Sequence, residues 1–366
     1  MLDAERNELR DHSLFLTVDL QETAADKQYT GEHRLDTISM ESGNKLNGKE
    51  QSTYYSKSIL GDECMKLFKA LLCTLVILLA VGVGQQTSIA ASSKIARTSS
   101  NMNVKFYSES LKKDMILNVY LPPNYDCQDK YPVLYVLHSY KLNENHWFND
   151  LKITEKADEL IASGKIEPMI IVAPRIDNSF GVNSSELPGF IKESGNPTDE
   201  GVLYTGKYED YVTNDVVSFV DTHFNTIKSR QSRYIGGTSM GGFSALHIGL
   251  RHPQLFSKIG GHSPALFVGE MWAPLEKLVY PTAEARQNND PIALAASQKL
   301  NKVSIYVDYG DQDDFKEVGK KLDEVLKGQK IKSYEFHINP GGHHDDAYWS
   351  SQMENYLQFY GGIDQD

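Results

Sequence analysis

Residues 236–242 read Gly-Gly-Thr-Ser-Met-Gly-Gly, which sets Ser239 midway between Gly237 and Gly241. A serine hydroxyl is a useful nucleophile only where its oxygen stands clear of the backbone and a base can take its proton. Apolar Tyr234 and Ile235 precede the run, and an Ala/Leu/Ile-rich helical pattern follows it as far as His252-Pro253. Strand, sharp turn and helix in that order form a G-x-S-x-G elbow. Its glycines leave room for a crowded turn, and the amide after the serine, here that of Met240, is aimed where an oxyanion would form. The plainer alternative is a glycine-rich loop whose serine only caps the helix.

A nucleophilic serine needs a histidine base and a carboxylate to orient it. On this kind of architecture they follow in the order Ser, Asp, His, in loops after late strands. Both loops are present. The apolar run 303–307 enters Asp308-Tyr309-Gly310-Asp311-Gln312-Asp313-Asp314-Phe315. Asp313, three residues past the turn glycine, is the expected acid and Asp314 the next choice. Asp308 sits at the strand end, and Asp311 suits a turn-stabilising role. The run 334–338 enters Asn339-Pro340-Gly341-Gly342-His343-His344-Asp345-Asp346, directly before a last helix, and so offers His343 or His344 as the base. Of the other histidines, His247, His252, His337 and His138 belong to helices or strands, while His262, just after a strand, is kept as a lining residue. The run His343 to Asp346 also raises metal-dependent hydrolysis. Adjacent residues rarely converge on one ion and no partner motif accompanies them, so no metal and no cofactor are expected.

The elements that must carry these loops can be traced in order. Stretches 104–107 and 115–121 alternate apolar and polar like paired antiparallel strands, and Pro122-Pro123-Asn124 closes the second. The continuous apolar runs 133–137 and 169–173 read as strands buried on both faces. Helical spacing appears over 151–163 and over 208–224, where Tyr208, Val212, Val216 and Val220 share one stripe. After the elbow come a short strand at 258–260, a less regular insertion at 264–300 that is placed to cap a site, a helix near 315–326 and a last helix near 347–360. Alternating strands and helices predict an α/β fold: one domain over residues 101–366 with a mostly parallel central sheet and helices on both faces.

Of the 366 residues 40% are hydrophobic and 23% charged, enough for a sizeable core. The net charge of −12 leaves no basic surface for phosphates, so nucleic acid is not an expected partner. Residues 1–64 are polar and lack apolar periodicity, and no stable fold is expected there. From Met65 the pattern is that of a secretory signal peptide: Lys66 and Lys69, an apolar run from Ala70 to Val83, then small residues around Ala90. That layout makes Met65 the expected true start, 65–91 the signal and the mature protein secreted, with contact to a membrane only through an uncleaved segment. The alternative is a single-pass anchor with a short cytosolic tail. Cys64 and Cys73 would then be absent from the mature chain, and Cys127 alone can form no internal disulfide.

The stretches LNVYLPPNY, YPVLYVLH, EPMIIVAP, YEDYVTNDVVSFVD, GGTSMGGFSALHIGLRHP, DYGDQDDF and PGGHHDDAYW together resemble the esterase D family of α/β-hydrolases, which includes feruloyl esterases, S-formylglutathione hydrolases, siderophore esterases and mycolyltransferases. The resemblance covers residues 103–361. It implies Ser239 as nucleophile, Asp313 as acid and one histidine of the pair as base. Members usually carry one histidine after the glycines and a tryptophan five residues on; counting from Gly342 selects His343, counting back from Trp349 selects His344, and the helix register favours His344. The loop after YPVLYVLH is glycine-rich in the family, whereas Ser139, Tyr140 and Lys141 follow His138 here; Ser139 or Tyr140 can still donate the second oxyanion amide, from a loop with fewer conformations open to it. The implied function is a secreted serine esterase acting on a small or carbohydrate-linked acyl ester. An acyltransferase using the same triad, or a binding protein on the same scaffold, are the alternatives. Tyr140, Trp147, Phe180 and Trp272 are candidates to line an acyl or sugar pocket, with core packing as the other reading for each.

Overall fold

Why the apolar runs 133–137 and 169–173 must be central is visible in their surroundings. Every residue of β6 (Val133–Leu137) and of β7 (Ile170–Pro174) is buried. Successive side chains of β6 enter opposite layers: Val133, Tyr135 and Leu137 join one hydrophobic core, Leu134 and Val136 the other. The computed structural model describes residues 97–126, 128–191 and 201–363, plus three short strands nearer the N-terminus. The signal segment 65–91 and all three cysteines lie outside the described residues.

The remaining strands are β1 (Thr17–Leu20), β2 (Ile38–Glu41), β3 (Tyr54–Tyr55), β4 (Ser100–Ser108), β5 (Lys113–Leu121), β8 (Gly189–Ile191), β9 (Leu203–Thr205), β10 (Arg233–Thr238), β11 (Lys258–His262), β12 (Ser304–Gly310) and β13 (Ser333–Asn339). All but β8 and β9 join one sheet in the order β13-β12-β11-β10-β6-β7-β5-β4-β1-β2-β3. From β13 to β7 every neighbouring pair is parallel, and β5 then pairs antiparallel with both β7 and β4. β8 and β9 form a separate antiparallel ribbon.

The three N-terminal strands depart from the expectation of no fold in 1–64. β1 lies parallel to β4, pairing Thr17 with Asn103 and Val18 with Val104, and β2 and β3 add antiparallel to it. An edge strand presents unpaired amides and carbonyls to any extended segment. Strands of two to four residues are too short to show as apolar periodicity in the sequence.

The helices are α1 (Ile153–Ala162), α2 (Tyr208–Asp210), α3 (Val217–His223), α4 (Met240–Arg251), α5 (Ala273–Val279), α6 (Ala283–Asn289), α7 (Pro291–Ser297), α8 (Lys316–Lys327), α9 (Asp346–Ser351) and α10 (Met353–Gly361). Tyr208, Val212, Val216 and Val220 are all buried as their stripe requires, although the turns Tyr211–Val216 between α2 and α3 are wound as a π-helix. Irregularity in the 264–300 insertion resolves into α5, α6 and α7; Thr282 and Asp290 cap α6 and α7 by accepting from the amides of Ala285 and Ile292. The single last helix expected from the sequence is broken at Gln352 into α9 and α10. Among the described residues no helix is long and apolar enough to cross a membrane.

Candidate active site

Ser239 stands between β10 and α4 with φ 55° and ψ −115°, outside the regions ordinary side chains adopt. Such a conformation costs on the order of 1–3 kcal/mol and persists only where its surroundings enforce it. The enforcement is visible here: the Ser239 amide donates to the His262 carbonyl at 3.0 Å, and the Ser239 carbonyl accepts from the amides of Phe243 at 2.9 Å and Ala265 at 3.0 Å. The flanking glycines are required by contact. A Cβ on Gly237 would overlap the Gly241 backbone, and one on Gly241 would overlap the Leu137 carbonyl of β6.

Asp313 and His344 arrive on two loops packed against each other. Gly310 ends β12 so close to Gly342 that a Cβ on either has no room, the Gln312 amide donates to the Gly342 carbonyl at 2.9 Å, and Asp311 accepts from the Gly341 amide at 2.8 Å. Asp311 is thus the turn-stabilising carboxylate. Asp313 is fully buried and Asp314 is exposed, which separates the two candidates for the acid. Asp313 Oδ1 accepts from the Phe315 amide at 2.8 Å, leaving Oδ2 2.8 Å from His344 Nδ1. Because a carboxylate only accepts, Nδ1 carries the ring proton and Nε2 is an acceptor, 2.8 Å from Ser239 Oγ. The His344 ring is held edge-on by Trp349 at 5.2 Å and lies 5.0 Å from the Phe315 ring.

The four residues of the His-His-Asp-Asp run face four directions. His343 is exposed, His344 meets Ser239, Asp345 accepts from the Tyr348 amide as the cap of α9, and Asp346 meets His146 Nε2 at 2.9 Å. They therefore form no metal-ligand set, and among the described residues no group of three His, Cys, Asp or Glu side chains could hold an ion.

Of the proposed oxyanion donors, Met240 follows Ser239 at the first position of α4, while Ser139 is turned away from the site. Its amide donates to His146 Nδ1 at 3.4 Å and its hydroxyl lies 2.8 Å from Thr238 Oγ1. Tyr140, the other candidate in that loop, has its side chain in the pocket wall. His138, set aside as a base, is buried; burial lowers its pKa to about 4, so the ring is neutral, donating from Nδ1 to the Ser139 carbonyl and accepting the Ile176 amide at Nε2.

A pocket of about 290 Å³ opens at Ser239 and Met240, walled by Tyr140, Phe180, Phe267, Trp272 and Phe315. Three of the four aromatic residues anticipated as lining residues are there. Trp147 is not, because it is buried in the core with its indole N–H donating to the Leu137 carbonyl at 2.8 Å. His262 is not a lining residue either. It is sealed under α10, with Nδ1 3.2 Å from Asp308 and Nε2 3.1 Å from Tyr360 OH; Asp308 also accepts from Tyr348 and Tyr356. Sequence reasoning missed His146, Asn178 and Asp346, which buttress the site from separate elements. Only Asp346, inside the motif run, carried any local signal.

Comparison with known proteins shows the family of the chain and its fold. The family model Esterase matches residues 108–360. The xylanase/feruloyl esterase of Xylanibacter ruminicola is 28% identical over 260 residues, which are 70% of this chain and 30% of that protein, so the chain spans about a third of the length of that relative. Among solved structures, a ferulic acid esterase superposes with TM-score 0.60 at 24% identity, covering 72% of this chain and 98% of its own. An S-formylglutathione hydrolase from Agrobacterium tumefaciens superposes with TM-score 0.57 at 20% identity, covering 76% and 97%. Elbow, acid loop and histidine loop all fall inside the span that the family model matches, and the chain belongs to the esterase family of the α/β-hydrolase fold.

Proposed function

We propose that this esterase is a serine carboxylic-ester hydrolase in which Ser239 is the nucleophile, His344 the general base and acid, and Asp313 the orienting carboxylate. The observation that carries the reading is the unbroken line from Ser239 Oγ to His344 Nε2 and from Nδ1 to Asp313, 2.8 Å at each step. Ser239 Oγ attacks the ester carbonyl carbon as its proton passes to Nε2. The carbonyl oxygen becomes an oxyanion, met by the amides of Met240 and Tyr140. The C–O bond to the alcohol then breaks, and the alcohol leaves with the proton from Nε2. Water repeats the sequence on the acyl-enzyme, releasing the acid and restoring Ser239. Asp313 stays ionised and stabilises the transient imidazolium.

The acyl group in this reading is apolar and aromatic, of the feruloyl kind, on a small or carbohydrate alcohol. Supporting it are the aromatic walls beside Ser239 and the names of the relatives, feruloyl and ferulic acid esterases. Export is part of the proposal, with a mature N-terminus near Ala91 after cleavage following Ala90, so that the mature chain would lack β1 to β3 and end its sheet at β4. Mass spectrometry of the exported protein reads this directly, and peptides from residues 1–60 in cells would point instead to the anchored form. The test of the chemistry is Ser239→Ala: hydrolysis of a p-nitrophenyl or feruloyl ester should fall more than about a thousandfold in kcat with the fold intact by circular dichroism. Wild-type-like turnover would remove the nucleophile assignment.

A further inference from the structure

The loop Ser139-Tyr140-Lys141 is held without glycine. Lys141 has φ 66°, in the left-handed region that favours glycine, and its amide is fixed by Asn178 Oδ1 at 2.7 Å. Ser139 is tied at each of its polar atoms: the carbonyl by His138 Nδ1 at 2.9 Å, the hydroxyl by Thr238, and the amide by His146 Nδ1. For His146 to accept that amide, its Nδ1 must be unprotonated. The condition is met from the far side of the ring, where Asp346 Oδ1 lies 2.9 Å from Nε2 and, as a carboxylate, can only accept. Burial lowers the pKa of the His146 imidazole, against the pull of Asp346, so the ring stays neutral.

We infer that His146 and Asp346 are positioning residues for the oxyanion loop: Asp346 fixes the His146 tautomer, and His146 fixes the Ser139 amide and with it the direction of the next peptide, that of Tyr140. The pair is built into the segment that also carries the proposed base, since Asp346 lies two residues past His344. Base loop and oxyanion loop are therefore assembled by one contact across the sheet end. The inference rests on the serine esterase reading above.

A thionoester tests it, because a sulfur in place of the carbonyl oxygen profits little from hydrogen-bond donors, so damage to an oxyanion hole shows mainly on the oxoester. Asp346 is partly exposed, and its replacement does not open a core cavity. Asp346→Ala should lower kcat for a p-nitrophenyl oxoester by roughly 10- to 100-fold with KM within about twofold, and lower thionoester turnover far less. Asp346→Asn, whose amide oxygen still accepts from Nε2–H, should recover most of the loss. His146→Ala should repeat the Asp346→Ala pattern. Equal losses on both esters, an Asp346→Asn enzyme as slow as Asp346→Ala, or an Asp346→Ala enzyme at the wild-type rate would each overturn the inference. The two readings fail separately. An active Ser239→Ala enzyme removes the esterase mechanism itself, whereas an inactive Ser239→Ala beside an unimpaired Asp346→Ala removes only the positioning role.

Discussion

At the scale of single residues, the two adjacent histidines are the sharpest contrast in the chain. Only His344 faces Ser239 and Asp313, and His343 is exposed. His344→Ala should lose roughly 10⁴-fold or more in kcat, while His343→Ala should stay within about threefold of wild type. Steady-state kinetics on the purified pair decides this, and an essential His343 would contradict the geometry. His138 gives a pH prediction. Burial lowers its pKa from the ordinary 6.5 to about 4, so the folded protein holds it neutral where the unfolded chain would already be protonated. The stabilisation from this is fully present above pH 6.5 and is lost as pH falls from there toward 4. It amounts to on the order of 3 kcal/mol. Glu209 adds to the acid sensitivity. Burial alone would raise its pKa, but hydrogen bonds from His247 and His252 and the Arg251 charge hold it well below the ordinary carboxylate range, so its contribution disappears as the carboxylate is protonated in acid. Urea unfolding between pH 7 and 4 should show the wild type losing stability more steeply than His138→Gln.

At the scale of elements, the acid and base loops act as one unit because Gly310 and Gly342 leave no space between them. Gly310→Ala should push the loops apart, destabilise the fold by about 1–3 kcal/mol and cut kcat well beyond what the unfolded fraction explains. Comparing activity per folded molecule, by urea titration and active-site labelling, separates the two effects. Elements of this kind were legible before the structure. Strands such as β6 and β7 follow from unbroken apolar runs, and the strand-turn-helix around Ser239 follows from glycines at fixed spacing. Boundaries set by tertiary contact were not legible. The π-wound turns between α2 and α3 contain Thr213, whose hydroxyl donates to the Glu209 carbonyl at 2.8 Å, and no periodicity in the sequence distinguishes them from an ordinary helix. The short strands β1 to β3 exist through their pairing with the edge strand β4 and have no independent signature.

At the scale of the whole molecule, the parallel sheet brings three loops from distant parts of the chain to one end, which is why the site is wide in sequence and narrow in space. Ser239 and His344 are 105 residues apart and share a hydrogen bond. Motif spacing picked out the residues proposed for the chemistry, because Ser239, Asp313 and His344 each follow a strand. The supporting contact was hidden, since His146 meets Asp346 across 200 positions and nothing local marks His146 as its partner. If an acyl group passes through Ser239, acid-quenched turnover of a p-nitrophenyl ester traps it, and peptide mapping by tandem mass spectrometry locates it. An acyl mass should appear on the peptide carrying Ser239 and none in Ser239→Ala. An acyl group on another residue, or hydrolysis by Ser239→Ala at the wild-type rate, would contradict the role of Ser239.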